Sequence, residues 1–136
     1  MRKLFSLAVI ALAGLLFVGA GAQSKAEESI QVVEMTAKKY EYSPDEIRVK
    51  KGTRVQLKIR ALDRTHGFKL RLYPEGAPET GEPGLRMAEN QNNFKLEENQ
   101  ERVIEFVAER PGSYTFRCSV FCGMGHRGMT GKIIVE

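Results

Sequence analysis

Two cysteines, a histidine and a methionine fall within twelve residues: Cys118, Cys122, His126 and Met129, spaced Cys-x3-Cys-x3-His-x2-Met. Thiolate and thioether are soft donors and imidazole is borderline. That mixture suits copper better than zinc, for which methionine is a poor ligand, and it excludes calcium and magnesium. Gly123, Gly125 and Gly128 separate the donors and let the backbone fold closely around an ion. Each residue also has a plainer role: a disulfide for the cysteines of an exported chain, a core position for Met129, a surface position for His126. None of these plainer roles accounts for all four residues together.

Such a loop needs rigid supports, and the flanking sequence offers them. Residues 113–117 lead directly into Cys118 and residues 131–136, with Ile133, Ile134 and Val135, follow Met129; both read as strands. Residues 54–60 alternate polar and apolar side chains strictly, as a strand with one buried face does. Ile47 with Val49, then Phe68, Leu70 and Leu72 repeat the two-residue period, residues 102–107 are rich in β-formers, and the pattern begins near Gln31. Turn signals stand between them at Lys51-Gly52 and Pro111-Gly112. About seven short strands without a long amphipathic helix predict an all-β sandwich or barrel. Residues 73–93 break the rhythm with Pro74, Pro78 and Pro83 and read as a long surface loop, with a short helical turn around 85–89.

At the other end, Arg2 and Lys3 precede an apolar run, and residues 4–22 carry no charge. The small residues Ala20, Gly21 and Ala22 suit cleavage before Gln23. Residues 1–22 are expected to be a signal peptide or an uncleaved anchor attaching the chain to a membrane, and residues 23–136 one exported domain. Localisation would be periplasmic or on the outer face of the cytoplasmic membrane. The net charge of +4 falls to +2 without Arg2 and Lys3. That balance, with no basic run interleaved with aromatics, argues against nucleic acid. No nucleophile–base pair stands apart from the cysteines and histidines already assigned, so a hydrolase is not expected.

The Cys118–Met129 spacing resembles the binuclear copper loop of cytochrome c oxidase subunit II and of nitrous oxide reductase, matching four ligand types in order. The resemblance implies a cupredoxin-like Greek-key sandwich with a CuA-type centre of two copper ions that passes single electrons. It implies thiolates of Cys118 and Cys122 bridging both ions. His66, the one other histidine, and Met129 would complete one copper, and His126 with the backbone carbonyl of Val120 the other. Sharing one electron between two metals keeps bond-length changes small. Phe121, Met124 and Phe68 are expected to form the dry shell around it. The implied role is that of an electron-transfer protein or subunit rather than a catalyst by itself, with a cytochrome, oxidase or reductase as redox partner. Two alternatives stay open: a mononuclear blue-copper carrier using His66, Cys122, His126 and Met129, and a periplasmic copper-delivery protein.

Overall fold

A computed structural model describes Gly21 and residues 29–136. Apart from Gly21, the expected signal or anchor segment lies outside the described residues. Among the described residues ten strands follow one another: β1 (Ile30–Lys38), β2 (Glu41–Ser43), β3 (Glu46–Val49), β4 (Arg54–Ala61), β5 (His66–Leu70), β6 (Leu85–Met87), β7 (Asn93–Leu96), β8 (Glu101–Ala108), β9 (Gly112–Arg117) and β10 (Thr130–Val135). They form two five-stranded sheets, ordered β2-β1-β4-β8-β6 and β3-β10-β9-β5-β7. The pairs β1–β4 and β3–β10 are parallel and the others antiparallel. The molecule is an all-β sandwich of two sheets, as expected from the sequence.

The side-chain pattern explains the layering. On β4 the apolar set Val55, Leu57, Ile59 and Ala61 points inward and is buried, while the polar residues between them face out. Ile104 and Phe106 on β8 and Tyr114, Phe116 and Ile133 on β9 and β10 join the same core. Burying a side chain such as Leu57 or Ile59 contributes roughly 1.5–3 kcal/mol. The metal-loop end of this core is aromatic. The Tyr42 ring meets Phe68 and Phe116 edge-on, with centroids 5.9 and 5.1 Å away.

Three short strands escape the sequence reading: β2 and β6 are three residues long, and β7, which alternates over only four, follows directly on the long connection. The helical turn expected around residues 85–89 is instead the strand β6, antiparallel to β8 with Leu85 opposite Ala108. Leu85 is fully buried, and edge pairing satisfies a backbone that a single helical turn would leave open. The rest of the long connection is pinned to the second sheet. Glu75 N–H donates to the Ser113 carbonyl of β9 at 2.8 Å, and Gly84 N–H closes the connection on itself at the Leu72 carbonyl, 2.8 Å away.

Candidate metal centre

Strands β9 and β10 pair antiparallel up to Arg117 opposite Thr130, so the donor loop spans the open end of one hairpin. Cys118 N–H donates to the Met129 carbonyl at 3.0 Å and closes the loop at its neck. Within it, His126 N–H reaches the Gly123 carbonyl at 3.1 Å, and residues 126–128 form a single 3-10 turn. Gly123 has φ +136, and the Tyr40 ring lies against Gly123 and Gly125 where a Cβ would stand. Glycine is therefore required at both positions for the loop to fold under that ring.

Strand β5 brings the distant histidine. His66 is its first residue and is fully buried. The ligand atoms of His66, Cys118 and Cys122 all lie within 4.8 Å of one another. The two Sγ atoms are 3.6 Å apart, and both cysteines are free and buried. Cys122 Sγ lies 3.7 Å from His126 Nδ1 and 3.9 Å from Met129 Sδ. The carbonyl oxygen of Val120 is 3.1 Å from Cys118 Sγ. All six residues singled out in the sequence thus converge at one end of the sandwich. Met129 is fully buried and His126 half-buried, so His126 forms the solvent side of the cluster.

Three residues that no sequence motif marked shape this cluster. Asp63 Oδ1 lies 2.7 Å from His66 Nε2, so the neutral ring donates from Nε2 and leaves Nδ1 as a lone pair. That Nδ1 is buried with no hydrogen-bond partner. Burial pushes the Asp63 carboxyl up, but the Lys39 N–H and the His66 ring outweigh it and hold the group below the usual carboxylate range. Gly67 N–H donates to Cys118 Sγ at 3.4 Å, and the Tyr42 hydroxyl holds the Gly67 carbonyl at 2.6 Å. Burial, then the neighbouring Cys118 and Cys122, push the pKa of the Tyr42 hydroxyl well above the phenol range, so it stays a neutral donor. Sequence distance hides Tyr42 and Gly67. Asp63, three residues before a candidate ligand histidine, was within reach of the outer-ligand rule.

Electrostatics follow from this burial. The Cys122 thiol is pushed up to about 11 by burial first and by Cys118 next. A cation must therefore displace its proton. Arg64 Nη1 fixes the Cys122 carbonyl at 2.9 Å. The expected dry shell needs correction: Phe68 is fully buried, but Phe121 is 69% and Met124 93% exposed. The tight glycine turns throw both side chains outward, and Tyr42 and Phe116 fill the interior instead.

A buried imidazole nitrogen without a partner is costly, and a cation facing two sulfur atoms would satisfy it. Two thiols, a thioether and at least one imidazole form a soft donor set that fits copper. A family model described as a cupredoxin-like domain matches residues 8–135. The chain is 28% identical over 95 residues to cytochrome c oxidase subunit 2 of Thermus thermophilus, covering 70% of this chain and 58% of that protein. It is 29% identical over 108 residues to the nitrous-oxide reductase of Ralstonia nicotianae, covering 76% of this chain and 14% of the reductase. Each relative is thus matched over only part of its length. The fold superimposes on a chain of a heme-copper terminal oxidase dimer solved by cryo-EM, with a TM-score of 0.61, 24% identity, and coverage of 83% of this chain and 68% of that one. With a match running through nearly its whole length and a soft donor cluster at the end of its sandwich, the chain belongs to the cupredoxin-like domain family, related to the copper domains of cytochrome c oxidase subunit II and nitrous-oxide reductase.

Proposed function

We propose that residues 23–136 form an exported electron-transfer domain with a CuA-type centre of two copper ions. The observation that carries this reading is the apposition of two free, buried thiols 3.6 Å apart, flanked by donors on both sides. His66 stands beside the pair from β5, and His126 and Met129 stand beside Cys122 from the loop. Cys118 and Cys122 would bridge as thiolates, His66 and Met129 would serve one copper, and His126 with the Val120 carbonyl the other. When bound, copper supplies a one-electron couple.

The chain's own residues do the rest. Asp63 fixes the His66 tautomer so that Nδ1 offers its lone pair. Gly67 N–H, steadied by Tyr42, offers a hydrogen bond to the Cys118 sulfur. Tyr42, Phe68 and Phe116 exclude water from below, which limits the solvent that must reorganise when charge changes. His126, half-buried beside exposed Phe121 and Met124, offers the short path to a redox partner such as a cytochrome, an oxidase or a reductase.

The mononuclear alternative draws on the closeness of Cys122 to both His126 and Met129. Copper stoichiometry and the hyperfine pattern of the oxidised protein separate the two. Two coppers per chain sharing one delocalised electron support the binuclear centre, and coupling to a single nucleus supports the blue-copper carrier. Cys118→Ser is a second test, because a delocalised spectrum that survives it refutes bridging by Cys118. Export through residues 1–22 predicts a periplasmic product beginning near Gln23, or one retained at the membrane, read by fractionation and N-terminal sequencing.

A further inference from the structure

The outward face of the second sheet carries cations that the metal centre does not use. Lys69 on β5 lies directly opposite Arg117 on β9. Directly opposed residues on antiparallel strands have Cβ atoms about 4.5–5.5 Å apart, and like charges there destabilise the pair. Among the described residues, neither Lys69 nor Arg117 has an ion-pair or side-chain hydrogen-bond partner. The fold therefore holds two positive charges together without visible compensation.

Both residues line a cavity of ≈ 510 Å³ between this sheet face and residues 71–79. That size falls within the range of small-molecule sites, roughly 300–1,000 Å³. Its far wall is tied down. Arg71 N–H donates to the Thr115 carbonyl at 2.9 Å, and Arg71 Nη2 holds the Ala77 carbonyl at 2.8 Å. Two carboxylates also face the cavity: Glu79 pairs with Arg71 Nε at 3.3 Å, and Glu75 accepts the neutral Thr115 hydroxyl and keeps its charge. The cations left without an ion-pair partner are the Lys69 ammonium and the Arg117 guanidinium.

We propose that this cavity is a binding site for a small oxyanion of about two negative charges, held between Lys69 and Arg117. The guanidinium fork matches two oxygens of a carboxylate or phosphate, and the ammonium neutralises the remaining charge. The long connection after β5 serves as the wall of this site. Because the ligand would sit on the sheet's outer face, its binding does not depend on copper content.

The test uses the full chain, titrated calorimetrically with inorganic phosphate and separately with succinate, at ionic strength held constant with chloride. Saturable binding of either dianion is expected, weakened about tenfold or more by Lys69→Gln and by Arg117→Gln, since a hydrogen bond to a charged group is worth about that factor. Melting provides a second reading. Without dianion, Lys69→Gln should melt at or above the wild type because the opposed charges are gone. At saturating dianion the order should reverse, because only the intact site gains stability by linkage. Tighter binding of succinate than phosphate would identify organic dicarboxylates as the preferred members of the class. Binding that neither variant weakens, no saturable binding of either dianion, or a Lys69→Gln protein that melts below the wild type without dianion would overturn the proposal.

Discussion

Gly67→Ala is the substitution to which the metal centre should be most sensitive without any donor being touched. A Cβ at this position would stand 2.6 Å from Ser119 N and 2.7 Å from Val120 N, and it would also meet Ser119 Oγ. Ordinary contact begins at 3.4 Å, so β5 and the 118–120 segment must part by about 0.8 Å. Neither neighbour is a flexible side-chain end, and both backbone atoms lie between Cys118 and Cys122. Overpacking of this kind costs roughly 1–3 kcal/mol. At about 4 °C or more per kcal/mol for a domain of this size, a cost of about 2 kcal/mol lowers Tm by roughly 8 °C. The separation also stretches the 3.4 Å hydrogen bond from Gly67 N–H to Cys118 Sγ, so copper affinity should fall with stability. Melting of the metal-free protein, followed by copper titration against a competing chelator, measures both effects. Adding Ser119→Gly removes the hydroxyl but not the backbone clash, so Tm should recover only in part. A Gly67→Ala protein that melts within about 1 °C of the wild type and binds copper equally well would refute the close approach of β5 to the loop.

Asp63→Asn keeps an acceptor for Lys39 but releases the His66 tautomer, and copper affinity should drop about 10–100-fold in a chelator competition. Met129→Leu conserves volume at a fully buried position, so it should cost under about 1.5 kcal/mol and retain copper while voltammetry records a changed potential. In the metal-free protein the raised Cys122 pKa means that folding favours the neutral thiol. Its contribution is complete below the ordinary value of 9.0 and is lost as pH rises through about 11. Melting temperatures across that window should fall more steeply for the wild type than for Cys122→Ser.

The legibility of this chain followed the length of its elements. Strand β4 announced itself because eight residues give four inward positions, whereas Leu85–Met87 has one fully buried residue and looked like loop or helix. The donor loop was readable because its chemistry is packed into twelve consecutive residues. Its supports lie outside the loop: Tyr42 and Gly67 carry no local signal of their role, whereas Asp63, three residues before His66, is within reach of the outer-ligand rule. Phe121 and Met124 were misplaced for a related reason. Apolar character suggested shelter, but the direction of a side chain in a glycine-rich turn is set by backbone angles that sequence period does not encode.

The position of β10 has a consequence for how this molecule comes into being. Strand β10 joins β9 on one side and β3, more than eighty residues upstream, on the other. Until β10 has found its place, the second sheet lacks its link to β3. Pairings of such sequence separation form slowly, because loop closure must precede any reward. The supports of the donor cluster therefore come together late in folding, when β10 has paired with both β9 and β3.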